Sequence, residues 1–186
     1  MRTYAFVLAL CFLSCSEALL EQAPPNVIFI LTDDQGYGDL GIYGAQDFST
    51  PNLDKLAREG VYFTSYYATQ PVCSASRASI LTGCYPNRIG IHNAFMPNAK
   101  IGLNPAETTI AEMLKEEGYA TGIFGKWHLG EGKAHEPSGF DYWSVLPGQG
   151  DYFDPLFIEM GKEVEEKGYA TDIITEKCKN WLSSRN

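Results

Sequence analysis

The run Asn26-Val27-Ile28-Phe29-Ile30-Leu31-Thr32 has no polar alternation, and it narrows the folds open to this chain more than any other stretch. A strand with one wet face alternates, whereas an unbroken apolar run predicts a strand covered on both faces, as in a parallel sheet between helices. The residues that follow repeat the theme. Thr50-Pro51 reads as an N-cap followed by proline at the first helical position. Pro51 to Glu59 then sets Leu53, Leu56 and Ala57 on one face, and Gly60 ends the helix. Val61 to Tyr67 is β-branched and aromatic, predicting a second strand, and Ser74 to Thr82 predicts a helix stopped by Gly83. Thr109-Ile110-Ala111-Glu112 is a capping box opening a helix with the stripe Ile110, Met113 and Leu114, stopped by Gly118. Tyr119 to Phe124 predicts a third strand, and from Thr171 onward Ile174, Cys178, Trp181 and Leu182 recur at helical spacing. The expected class is α/β, a largely parallel central sheet with helices on both faces. Because a helix closes the chain at Asn186 with no strand after it, the reading is of a truncated sheet.

Hydrophobic residues at 45% and charged residues at 20% are globular values. Residues 1–18 read as a secretory signal: Arg2 as the positive end, Tyr4 to Leu13 as a short apolar core, and Ser16-Glu17-Ala18 as the cleavage pattern. A lipoprotein signal using Cys15 is the alternative, with Phe12 a poor residue for it. The apolar run is too short to span a bilayer. Cutting after Ala18 removes one cation (Arg2) and one anion (Glu17), so the net charge stays at -9. An acidic surface argues against nucleic acid and anionic membranes as partners. The mature chain keeps Cys73, Cys84 and Cys178, an odd number for an exported protein. Either one is a special reactive residue or a partner lies beyond the chain.

Three expected strand ends carry chemical groups: Asp33-Asp34, then Cys73 with Arg77, then Lys126 with His128. Ligands bind at the carboxyl ends of parallel strands, so the three are expected to converge on one edge. Asp33 and Asp34 are candidates for a hard cation, with a solvated acidic turn as the other reading. Cys73 precedes a helix and Arg77 follows one turn later, a setting that favours negative charge; a buried or disulfide-bonded cysteine is the plainer alternative. Arg77, Lys126 and His128 suit a tetrahedral dianion or its ester, against a surface loop beside Trp127 as the bland reading. Gly36-Tyr37-Gly38-Asp39-Leu40-Gly41 fits the dinucleotide string, but two aspartates precede it and no helix opens from it. His92 and His135 read as ordinary surface residues, and Arg88 either supports the cysteine helix or makes a surface ion pair.

Together these residues resemble the sulfatases of the alkaline-phosphatase-like superfamily. The signature Cys-x-Pro-Ser-Arg, then x-x-x-Leu-Thr-Gly, is met by Cys73-Ser74-Ala75-Ser76-Arg77 and Leu81-Thr82-Gly83. Gly-Lys-Trp-His-Leu-Gly stands complete from Gly125 to Gly130, and the opening block is matched from Asn26 to Gly41. The resemblance implies a sulfatase-like fold, with residues 19–25 as a lead-in and 26–186 as the N-terminal part of the catalytic domain. It implies hydrolysis of aryl sulfates or sulfated carbohydrates; the superfamily's phosphodiesterases and phosphonate hydrolases are the rival activity, and a non-catalytic fragment the rival of another kind. Cys73 would be converted to Cα-formylglycine by a maturating enzyme, and one hydroxyl of the hydrated aldehyde would attack sulfur while the other later expels sulfate. Asp33, Asp34 and the group derived from Cys73 would hold one Ca²⁺, or Mg²⁺ as the other hard cation. Arg77 would stabilise the growing charge, Lys126 would hold the sulfate, and His128 would sit against the formylglycine or the sulfate oxygens. Ala75 stands where the signature has proline. The family's Asp-Asn metal pair and a further histidine and lysine are expected after Asn186, so the 186-residue chain is expected to turn over sulfate esters inefficiently. Phe140 to Trp143 and Pro147 to Tyr152 look like a loop of members acting on sulfated sugars, with an aromatic surface loop as the alternative. An extracellular, periplasmic or lysosomal destination follows from the signal.

Overall fold

The computed structural model describes residues 23–96 and 99–185. The proposed signal lies outside them. Two compact units are distinguished, residues 1–36 and residues 37–186. The described part of the first carries no helix or strand and bends at Asp33 and Asp34, with the Thr32 hydroxyl donating to Gln35 Oε1 at 3.0 Å.

Among the described residues of the second unit, besides short 3₁₀ turns, four α-helices and four strands follow in the order α1 (Pro51–Glu59), α2 (Cys73–Thr82), α3 (Ile110–Glu116), β1 (Gly122–Lys126), β2 (Tyr142–Leu146), β3 (Leu156–Glu159), β4 (Lys162–Glu165) and α4 (Ala170–Ser183). The sheet runs β1-β2-β3-β4. β1 and β2 are parallel, with Gly122 opposite Tyr142 and Lys126 opposite Leu146; β2-β3 and β3-β4 are antiparallel. The α/β class stands, with the sheet mixed. The β3-β4 hairpin turns through Met160 and Gly161, both at positive φ (47° and 80°), the backbone of a tight two-residue hairpin turn.

Two expected strands are absent. Residues 26–32 and 61–67 join no ladder among the described residues, and their side chains are exposed, Ile30 at 76% and Tyr67 at 82%. Apolar, β-branched composition suits a pleated, covered surface, but a strand exists only where a neighbour takes its backbone hydrogen bonds. The expected convergence of three strand ends therefore gives way to a different arrangement: Cys73 follows no strand, and Lys126 alone closes one. Two helix stripes also differ. Leu53 and Leu56 on α1 are exposed, and on α3 the buried residue is Ala111, with Ile110 and Met113 exposed.

Other expectations hold. The Thr109 and Glu112 capping box is formed in both directions. α4 lays Ile174 and Trp181 on β1, where glycines make room: a Cβ on Gly122 would sit 3.1 Å from the Trp181 ring, and Ile174 Cδ1 is 3.4 Å from the Gly125 position. The core joins Ala75 and Ala78 of α2 to Phe95, Trp127, Leu129, Trp143 and Val145. It welds the cysteine helix to the parallel strand pair.

A second knot lies on the other side of the sheet. Lys177 Nζ bridges Glu159 Oε2 at 2.7 Å and Glu166 Oε1 at 3.0 Å, and stands 5.2 Å from the Phe157 ring centre. Burial works against the Glu159 carboxylate, but the hydrogen bonds from Lys177, Tyr142 and Ser144 outweigh it and hold Glu159 below the usual carboxylate range. Burial first, and then the hydrogen bond to Glu159, push the Tyr142 phenol up to about 12. The folded value lies above the unfolded value of about 10, so this contribution is whole below pH ~10 and lost as pH climbs toward 12. Tyr142→Phe is therefore expected to lose less stability than the parent between those pH values, read from urea midpoints at each pH. Parallel curves for the two proteins would contradict it.

Candidate active site

The cysteine helix begins one residue earlier than expected, at Cys73 itself. Val72 is its extended N-cap (φ -145°, ψ 146°), its carbonyl takes the first helical bond from Ser76 N–H at 2.9 Å, and no side chain caps the first turn. The orphan N–H groups of that turn favour a negative group beside Cys73. Gly83 closes the helix at φ 67°. Cys73 is half-buried and forms no disulfide. Ala75, in the signature's proline position, is fully buried in the core.

Arg77 lies one turn along α2 and reaches across to the sheet, its Nη1 donating to the Lys126 carbonyl at 2.7 Å. This bond joins the helix of Cys73 to the end of β1. Lys126 Nζ donates to Gln149 Oε1 at 2.5 Å, and Gln149 comes from the loop after β2. His128 is buried at φ 51°, with Nε2 2.9 Å from the Phe95 carbonyl. A cleft of about 210 Å³ opens here, lined by Phe95, Met96, Ile101, His128, Glu131 and Gln149 among others.

Of the sequence-predicted residues, the structure bonds Arg77 to Lys126, sets Cys73 at the head of the helix that carries Arg77, and places His128 alone of the four in the cleft wall. Asp33 and Asp34 belong to the residues 1–36 unit. Asp34 has φ 55°, a left-handed conformation that aspartate tolerates. Their two carboxylates supply fewer than the six to eight oxygens Ca²⁺ takes, and no group of three or more acidic, histidine or cysteine residues suited to a metal occurs among the described residues. The described residues alone do not make a calcium cage.

Two further expectations change, and the alternatives for Arg88 narrow. Tyr142 and Trp143, read as part of an aromatic loop, open the interior strand β2, and residues 147–155 form the connection to β3 that delivers Gln149. His135 is half-buried, with Nδ1 3.3 Å from the Leu103 carbonyl, while its own carbonyl accepts from Trp127 Nε1 at 2.8 Å. Arg88 makes no simple surface ion pair; it donates to Cys84 Sγ at 2.8 Å just past the end of α2. Cys84 and Cys178 are, like Cys73, free thiols, and burial pushes Cys178 up. Sequence reasoning missed Ser74, Phe95 and Gln149. Gln149 had a signal, since Pro147-Gly148-Gln149-Gly150 is turn chemistry directly after a β-rich run.

The α/β unit thus has a cysteine at a helix N-terminus, its arginine bonded to the carbonyl of the strand-end lysine, and a buried histidine two residues further on. The sulfatase family model matches residues 25–186, and the chain belongs to the sulfatase family. An N-acetylglucosamine-6-O-sulfatase of Bacteroides thetaiotaomicron is 43% identical over 182 residues, covering 96% of this chain and 31% of that protein. The human N-acetylgalactosamine-6-sulfatase is 45% identical over 134 residues, 67% of this chain and 26% of that one. Among solved structures, one described in complex with its substrate D-glucosamine-2-N,6-O-disulfate superposes with a TM-score of 0.79 at 43% identity, over 87% of this chain and 32% of that chain. Another, in complex with a neocarrahexaose, gives a TM-score of 0.78 at 31% identity, over 82% of this chain and 40% of that one. The chain spans about a third of the length of the relatives it matches. Among the described residues no helix is long and apolar enough to cross a membrane.

Proposed function

We propose that this chain carries the nucleophile-bearing part of a sulfatase site that hydrolyses sulfate monoesters of amino sugars, with 6-O-sulfated N-acetylhexosamines as the first candidates. The observation that carries the reading is the clamp from Arg77 to Lys126, which unites both signature blocks around Cys73. The names of the relatives, 6-sulfatases of N-acetylglucosamine and N-acetylgalactosamine, support the substrate class.

In this reading Cys73 is matured to Cα-formylglycine by a separate enzyme, and the hydrated aldehyde supplies the nucleophilic oxygen. Lys126, steadied by Gln149, presents an ammonium to the sulfate oxygens. Arg77 spends one of its guanidinium donors on the Lys126 carbonyl, which fixes the plane in which the others point. His128 stands on the cleft wall, its Nε2 bonded to the Phe95 carbonyl. The apolar part of that wall, Phe95, Met96 and Ile101, suits the hydrophobic face of a sugar ring. Asp33 and Asp34 would supply two carboxylates to a Ca²⁺ site that needs further oxygens, and residues 1–18 would serve as the export signal.

Titration with N-acetylglucosamine 6-sulfate, the unsulfated sugar and the 6-phosphate tests this, read from the His128 ring and the Gln149 amide by NMR. Shifts with the sulfated sugar at concentrations where the other two cause none are expected. A stronger response to the phosphate would make this a phosphoesterase site, and no response to any of the three would sink the reading.

A further inference from the structure

One buried polar connection lies outside both signature blocks' assigned roles. Ser74, the residue after the cysteine, is 0% exposed, and its hydroxyl oxygen accepts a hydrogen bond from Phe95 N–H at 3.0 Å. The carbonyl of the same Phe95 lies 2.9 Å from His128 Nε2. A carbonyl oxygen can only accept, so His128 Nε2 must carry a proton, and in the neutral ring the lone pair then resides on Nδ1. Phe95 itself is buried in the core between α2 and the β1-β2 pair. Its main chain is therefore held at one end by a helix hydroxyl and at the other by an imidazole.

We infer that Ser74 is a positioning residue for His128: its hydroxyl fixes the Phe95 main chain, whose carbonyl in turn sets the ring orientation and protonated nitrogen of His128. The inference rests on the reading that His128 serves the ester site. Ser74 touches no reacting atom in this account. An alanine at position 74 would leave the buried Phe95 N–H without its acceptor, and that peptide would turn to find another partner. The Phe95 carbonyl lies in the next peptide, across Cα, so the accompanying rotation of the Phe95 backbone would carry it away from Nε2 and release the ring. The arrangement couples the helix that bears Cys73 to the histidine through a single main-chain residue, so nucleophile and histidine keep a fixed relation.

The experiment is ¹⁵N-¹H NMR of the histidine rings in the unliganded chain, with His92 and His135 as internal references. In the parent, His128 Nε2–H is expected to give a sharp one-bond signal. In Ser74→Ala, its exchange with water is expected to quicken by about tenfold or more, the worth of one buried hydrogen bond, while the His92 and His135 rings stay as they were. Ser74→Thr, which keeps the hydroxyl, is expected to restore slow exchange. A folded Ser74→Ala with an unchanged His128 signal would overturn the proposal. If Ser74→Ala does not fold, hydrogen exchange of the Phe95 amide in the parent decides: protection matching the interior of α2 supports the proposal, and open-chain exchange overturns it. None of these readouts requires a bound sugar, so failure of the sugar titration and failure of this inference are separate results.

Discussion

Arg77→Ala is expected to weaken binding of a 6-sulfated sugar by about ten- to a hundredfold, the worth of one charge-assisted hydrogen bond. It is also expected to lower folding stability by about 1–3 kcal/mol, because the Lys126 carbonyl loses its donor. The two effects separate in Arg77→Lys. Lysine keeps the charge but not the planar fork, and it cannot hold the Lys126 carbonyl at 2.7 Å while also facing a ligand. Lysine is therefore expected to recover part of the sugar affinity and little of the stability. Calorimetric titration gives the first quantity and urea unfolding the second. An Arg77→Ala protein that binds the sulfated sugar as the parent does would remove Arg77 from the site.

Phe157→Ala is expected to cost about 3–5 kcal/mol, a large share of the 5–15 kcal/mol that a domain commonly has. Phe157 on β3 is 0% exposed, and the Lys177 ammonium stands over its ring at 5.2 Å. Truncation leaves a cavity and also strips one side of the Lys177, Glu159 and Glu166 knot. Ile158 and Glu159 of β3 pair with Val145 and Ser144 of β2, and the loop after β2 brings Gln149 to Lys126. The loss is thus expected to reach the site: the Gln149 amide should broaden before global unfolding. Phe157→Leu, nearer in volume, is expected to cost less than about 1.5 kcal/mol. Equal unfolding midpoints for the alanine and leucine variants would contradict the packing account.

The local code was legible wherever a few neighbouring residues decide the outcome. Pro51, Gly60, Gly83 and the Thr109 to Glu112 box punctuate the helices as their chemistry requires, because a cap is satisfied within one turn. Residues 26–32 and 61–67 carry strand composition without strand structure, since pairing is a property of two segments and not of one. β2 was hidden for a different reason. Tyr142-Trp143-Ser144-Val145-Leu146 is a short apolar run with no alternation, followed by Pro147-Gly148, and it reads as easily as loop. The hairpin of β3 and β4 has charged residues on its exposed strand, Lys162-Glu163-Val164-Glu165, which mutes the period of two.

At the site, the ionisable members were legible because residue type announces them: Cys73, Arg77, Lys126 and His128. The connections were not. Ser74 and Phe95 act through a hydroxyl and a main chain, groups that any sequence supplies in abundance, and only the fold shows which of them meet. His135 misled in the opposite direction. It is a titratable residue in a polar stretch, yet it is wedged against Gly102 and Gly130, where a Cβ at either position would fall within 2.6 Å of its side chain.

The central claim is that Cys73, free and half-buried at the first position of α2, is the precursor of the nucleophile. Mass analysis of the peptide containing Cys73, from protein made in its native host, tests this most directly. The expected peptide is lighter than its thiol form and couples to a hydrazide reagent, as an aldehyde does. A Cys73 recovered wholly as an alkylatable thiol would contradict it.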